Sequence, residues 1–126
     1  MHDVEANKKL VLAYYETAFR GDPERAARDY AGETYIQHNP RVADGTEGFI
    51  AFVRGLLNSF PDMKLMIKRV IAEGDLVVTH AHIIKIPGEP GLAVVDIFRV
   101  ESGKVVEHWD VVEAVPSTAL NSNGMV

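Results

Sequence analysis

At Pro61 the hydrophobic rhythm of the chain changes, and no other feature limits its fold as much. Before that residue, apolar side chains recur every three or four positions, as they do on one face of a helix. Val4, Leu10, Val11, Tyr14, Tyr15, Ala18 and Phe19 mark a first helix over Val4–Arg20, which Gly21 stops. Asp22-Pro23 supplies an N-cap followed by proline at the first helical position, opening a second helix to about Tyr30 that Ala31-Gly32 closes. Thr34 to His38 reads as a short strand or ordered loop, and Pro40 holds Asn39 extended. Thr46 is the expected cap of a third helix whose face, Phe49, Val53, Leu56, Leu57 and Phe60, ends at Pro61.

Beyond Pro61 the runs are strand-like: Met63–Glu73, Leu76–Ile86, Leu92–Glu101 and Lys104–Val112. Glu73-Gly74-Asp75 and Ser102-Gly103 are compact hairpin turns, whereas Pro87 to Gly91 is a longer connection. Helices first and antiparallel strands afterwards predict an α+β fold with the helices packed on one face of the sheet. With 126 residues, 47% of them hydrophobic, a single domain over residues 1–126 is expected, with a core that needs no staple. The tail from Pro116 to Val126 is small and polar, suited either to fraying or to folding over a pocket.

Composition narrows the chemistry. A formal charge of −5 with no cluster of Lys and Arg argues for no nucleic-acid partner. The absence of cysteine removes disulfides, thiolate nucleophiles and cysteine zinc sites. No basic segment followed by an apolar core opens the chain, and nowhere do about eighteen apolar residues run together, so no membrane partner and a cytoplasmic location are expected. Carboxylates, imidazoles and hydroxyls are left to act.

Side chains alternate between faces along a strand, so parity decides which of these groups can meet. His108 and Asp110 share a face of the last run. In the run before it Asp96 and Phe98 share one, bracketed by Val94 and Val100, with Val95, Ile97, Arg99 and Glu101 opposite. Pairing through Ser102-Gly103 brings Asp96, His108 and Asp110 near one another on the inward side. His80 and His82 also share a parity, between Val78 and Ile84, so that with His38 and His108 four of the five histidines are candidates to line one cavity. Burying such groups is costly unless they are paired or used, which makes this interrupted apolar face the main functional signal. The bland alternative is an inverted face, or a satisfied structural pair.

Tyr35, His38 and Asn39 are candidate hydrogen-bond donors to a ligand, His80 and His82 candidate polar lining, and Phe98 a pocket wall. Trp109 reads as outer-face packing, and Phe19, Phe49, Phe52, Phe60, Leu56 and Leu57 read as core. The spacing of His80 and His82 also permits a metal, with His38, Asp96 or His108 as further ligands, although no metal is the preferred expectation.

The strings Tyr35-Ile36-Gln37-His38-Asn39-Pro40, Asp96-Ile97-Phe98-Arg99 and Gly103-Lys104-Val105-Val106-Glu107-His108-Trp109-Asp110-Val111 resemble the SnoaL-like polyketide cyclases, within the predicted aldol-condensation branch of the nuclear-transport-factor-2-like superfamily. The resemblance runs through nearly the whole chain, including Asn121-Ser122-Asn123-Gly124-Met125. It implies a cone-shaped sheet, mixed or antiparallel, wrapped around about three N-terminal helices, with a deep pocket between. It further implies ring closure by intramolecular aldol condensation, with an aspartate as acid/base and no cofactor, metal or Schiff base. Asp110 matches that aspartate. The position fourteen residues upstream is histidine in the cyclase pattern and Asp96 here.

The resulting expectation is acid/base catalysis on a small carbonyl compound, of cyclase, isomerase or lyase type, with Asp110 as base. His108 would orient a carboxylate or donate to an enolate oxygen, and Asp96 would adjust Asp110. The alternatives are another carboxylate-based isomerase or dehydratase, a pocket that binds without turnover, and an interaction domain. A homodimer formed through the outer sheet surface is expected.

Overall fold

The computed structural model describes residues 2–126. In chain order the elements are α1 (Val4–Phe19), α2 (Pro23–Tyr30), β1 (Ala31–Gln37), α3 (Gly45–Ser59), β2 (Lys64–Glu73), β3 (Leu76–Ile84), β4 (Leu92–Glu101) and β5 (Lys104–Ala114). Asp3 caps α1 by accepting from the Ala6 amide at 3.0 Å, and Asp22 caps α2 by accepting from the Arg25 amide at 3.0 Å. These bonds satisfy donors that a helix start otherwise leaves open.

Two local expectations are corrected. Ala31 and Gly32 open β1 instead of merely closing α2. The residue at the N-cap of α3 is Asp44, with Thr46 inside the helix, and the Asp44 side chain makes no cap bond. Its Oδ1 accepts from the Gln37 amide at 2.8 Å, so a cap is exchanged for a tie between the 38–44 loop and the end of β1. Gly48 is needed beside that loop, because a Cβ there would collide with the Ala43 carbonyl.

The five strands form one mixed sheet in the order β1-β5-β4-β3-β2, with β1 parallel to β5 and every other pair antiparallel. The buried stripe of α1, Val11, Tyr14, Tyr15 and Ala18, packs with Val77, Phe98 and Val105 of the sheet and Val53 of α3. Phe98 is gripped by aromatic neighbours, with ring centroids 6.2 Å from Tyr14 and 5.7 Å from Tyr15. Residues at period two thus meet residues at period 3.6, giving the α+β layering expected. No helix is long and apolar enough to cross a membrane among the described residues.

Irregularities in register interrupt three of the four strand pairings, between Ala31 and Ile36, Ile67 and Arg69, and Arg99 and Val100. Each bends the sheet and changes which side chains face inward. The last decides the site. The hairpin pairs Glu101 with Lys104 across Ser102 and Gly103, whose φ values of 51° and 72° fit the twist of a two-residue hairpin turn. Counting on from that turn without a bulge pairs Asp96 with Trp109. Instead Val106 is an extra residue: Val100 pairs with Val105, and then Arg99 with Glu107. The slip sets Phe98 opposite His108 and Asp96 opposite Asp110.

Candidate active site

One rung across the inner face of the sheet runs Thr79–Asp96–Asp110, and the next runs Val77–Phe98–His108 with Gln37 of β1 beside His108. Thr79 and Asp96 are 0% and 2% exposed, and the side chains of His108 and Asp110 each expose only 12%. These groups stand at the polar end of a cavity of about 330 Å³, whose walls include Phe49, Val53, Leu56, Ile83 and Val94.

The polar groups form a network whose protons can be counted. Gln37 Oε1 faces the Asn39 backbone N–H at 3.0 Å. An amide N–H only donates, so the Gln37 atom there is the carbonyl oxygen. The same oxygen lies 2.8 Å from His108 Nδ1, which therefore carries a hydrogen. His108 Nε2 lies 2.8 Å from Asp96 Oδ1, and Thr79 donates to Asp96 Oδ2 at 3.2 Å. One proton belongs on the His108–Asp96 line, giving either imidazolium and carboxylate or imidazole and carboxylic acid. With no proton there, a lone pair would face a carboxylate where water hardly reaches.

Asn39 is fixed by the same logic. Its Oδ1 accepts from the Arg41 amide at 2.8 Å, so Nδ2 is the atom turned to Asp110, lying 2.9 Å from both carboxylate oxygens. Asp110 Oδ2 is 3.9 Å from His108 Nε2. Asp110 is thus an acceptor held in place by one amide, with lone pairs left for the cavity.

Tyr14, Tyr15 and Tyr35 line the same space. Tyr14 donates to the Tyr35 hydroxyl at 3.0 Å, and one shared bond between two hydroxyls leaves one O–H for another acceptor. All three phenols have their pKa pushed above the ordinary tyrosine range. Burial is the main cause in each case; the Tyr35 hydroxyl adds to it for Tyr14 and the Asp96 charge for Tyr15, while at Tyr35 the bond from Tyr14 opposes it. They remain neutral donors through the physiological range.

Asp96, His108, Asp110, Tyr35, Asn39 and Phe98 converge on the cavity. His38, His80 and His82 do not, which corrects the expectation that they line it. In β3 the inward residues are Val77, Thr79, Ala81 and Ile83, because Thr79 pairs with Asp96, and His80 and His82 consequently face outward. His80 Nε2 lies 2.8 Å from the Met125 carbonyl and its Nδ1 lies 3.0 Å from Arg69. His82 Nε2 lies 2.7 Å from the Pro90 carbonyl. The tail accordingly reaches back to the outer face at Met125, and His80 and His82 cannot share an ion with the inner residues. His38 stacks on Trp109 with ring centroids 4.7 Å apart, and its Nε2 lies 2.7 Å from Glu107 Oε2 on the outer face.

Asp96, His108 and Asp110 offer metal-binding atoms that lie within 4.8 Å of one another, a donor set without the His80 and His82 on which the sequence would have built one. Phe19, Phe49, Phe52 and Leu56, read as core, line the cavity. Gln37 and Thr79 are polar members of the network that sequence reading missed, and the first had a signal. Parity could have found it: Tyr35, Gln37 and Asn39 alternate with Ile36 and His38, so one face of that segment takes the first three and the other takes the histidine.

A mixed sheet closed over helices, with acidic groups at the end of a largely apolar cavity, defines the nuclear-transport-factor-2-like class of pocket folds. Within that class the chain belongs to the SnoaL-like polyketide cyclase family, whose sequence profile matches residues 8–119. Among solved structures it is similar to TsrD of Streptomyces laurentii, at 26% identity over 90% of this chain and 92% of that one, with a TM-score of 0.73. Wild-type IdmH of Streptomyces antibioticus is 22% identical over 85% of this chain and 91% of its own, with a TM-score of 0.70. A nuclear-transport-factor-2-like protein of Cytophaga hutchinsonii superposes with a TM-score of 0.69 at 17% identity, over 85% and 89%. No curated protein sequence gives a significant match.

Proposed function

We propose that this chain catalyses acid/base chemistry on a small carbonyl compound, most simply an intramolecular aldol closure, with Asp110 as the base. The observation that carries this reading is the division of protons. Asp110 faces the cavity as a pure acceptor, while Asp96 and His108 hold one proton between them 3.9 Å away. Asp110 takes the proton α to the carbonyl, and the C–H electron pair becomes the carbon–carbon double bond of an enolate. The enolate oxygen accepts from the free tyrosine O–H, and the net charge of the site does not change, because Asp110 becomes neutral as the enolate forms. When the enolate carbon attacks a second carbonyl, the resulting alkoxide recovers the proton from Asp110, so no net proton is consumed. An isomerase would use the same first step and return the proton to another carbon.

The cavity of about 330 Å³ and its apolar walls suit a compact ligand with few polar atoms. Asp110→Asn tests the assignment, because Asn preserves shape and cannot act as a base. Loss of turnover with retained ligand binding is expected from a screen of dicarbonyl compounds; undiminished turnover overturns the role of Asp110.

The outer face favours a second element of the reading, a homodimer. Val95, Val111 and Ile71 expose 40%, 74% and 62% of their surface there. Arg69 and Arg99 share that face with Glu107 and Glu113, so a two-fold axis can set opposite charges together around identical apolar rows. Sedimentation is expected to show a dimer that Val111→Glu dissociates, and a wild-type monomer at high concentration would refute it.

A further inference from the structure

We infer that Gln37 is a positioning residue that fixes the proton inventory of the site. Its carbonyl oxygen holds the hydrogen on His108 Nδ1 and so leaves Nε2 as the atom that shares a proton with Asp96. The mechanistic consequence rests on the reading above, whereas the tautomer assignment rests on geometry alone.

Three observations converge on this role. Gln37 Oε1 bridges two donors, the Asn39 amide at 3.0 Å and His108 Nδ1 at 2.8 Å, and the first fixes which end of the side-chain amide is oxygen. The backbone of Gln37 is anchored independently, since its N–H donates to Asp44 Oδ1 at 2.8 Å and it pairs with His108 across β1 and β5. The segment it stabilises also carries Asn39, which donates to both oxygens of Asp110. Gln37 therefore touches the base through Asn39 and the proton-sharing pair through His108. It does so without offering a proton of its own at either contact. Without an acceptor at Nδ1, the imidazole can place its single hydrogen on Nε2, and neutral His108 then satisfies an ionised Asp96 with no additional proton. The pair would lose the acidic proton that the native geometry obliges it to keep.

The test is side-chain ¹⁵N NMR of His108 on the intact protein, alongside rates as a function of pH. In wild type, Nδ1 should be protonated at every pH at which the protein is folded. In Gln37→Leu a population with hydrogen on Nε2 and none on Nδ1 should appear, and kcat should fall on the order of 10²-fold with KM nearly unchanged. Gln37→Glu keeps an acceptor at the same place, so it should retain the Nδ1 hydrogen and move the rate profile to higher pH, because the added charge favours the protonated ring. A bare Nδ1 in wild type overturns the proposal and requires no variant to fold. So does a Gln37→Leu protein with both its tautomer and its pH profile unchanged. A protonated Nδ1 combined with full turnover by Asp110→Asn would sink the catalytic reading and leave the role of Gln37 standing.

Discussion

The two faces of one sheet carry the same kinds of residue to different ends. On the inner face, one histidine and two aspartates sit in a network where Asp96 is 2% exposed and every amide has one admissible orientation. On the outer face, His38 meets Glu107 at 2.7 Å and Arg99 meets the same carboxylate at 2.7 Å, with the His38 side chain 40% exposed. Water and salt screen the outer groups, and a proton lost there is readily replaced. The inner groups interact through a less polarisable medium, so each proton constrains its neighbours. Burial, more than residue type, separates His108, tied into the network at the cavity, from the histidines of the outer face.

The most severe way to break this contrast is to exchange the faces. Inserting one residue between Val106 and Glu107 adds a position that the single bulge does not absorb, so pairing counted from the Ser102-Gly103 turn would put Glu107 and Trp109 inward and His108 and Asp110 outward. A buried unpaired carboxylate costs several kcal/mol, and the native partners of Asp96 would be lost as well. Against a usual domain stability of about 5–15 kcal/mol, the expected outcome is loss of cooperative unfolding in circular dichroism. An insertion variant that melts cooperatively, with turnover intact, would show that the register counted from the turn does not set the site.

Asp110→Asn acts on the inner face alone. Turnover should fall about 10²- to 10⁴-fold, the range for loss of a general base, while the urea midpoint stays near wild type because Asn39 can still donate to the new amide oxygen. An equal change on the outer face, at His80 or His82, offers no corresponding loss because neither side chain reaches the cavity.

The sequence made this contrast only partly visible, for physical reasons that differ from strand to strand. The change of period at Pro61 announced helices followed by strands, and Asp22-Pro23 announced α2. Asp96 and Phe98 stood out because the face they interrupt is otherwise Val94 and Val100. β3 was ambiguous: Val77, Thr79, Ala81 and Ile83 are no more apolar as a set than Leu76, Val78 and Ile84, so parity grouped His80 with His82 but could not choose their side. The Pro87 to Gly91 connection is too long to fix the register that makes the choice. Val106 is one valine after another, and nothing in its chemistry marks it as the bulge on which the pairing of Asp96 with Asp110 depends.

The mildest test concerns Glu107. Its carboxyl is held below the usual glutamate range, first by the hydrogen bond from His38 and next by that from Arg99. A group whose folded-state pKa is depressed adds stability that is fully present above its unfolded value, near 4.3, and lost as the pH falls through the lower folded value. Glu107→Gln lacks that titration, while the inner network is common to both proteins and cancels in their difference. The urea midpoint of wild type should therefore exceed that of Glu107→Gln by a small margin at neutral pH, and the margin should close below about pH 4. A margin that is constant from pH 7 to pH 3 would mean that the His38–Glu107–Arg99 contacts contribute nothing through charge. Repeating the titration at several protein concentrations sharpens the contrast further, because a dimer joined through the outer face makes this margin depend on concentration, whereas the inner-face effect of Asp110→Asn on bound-ligand turnover does not.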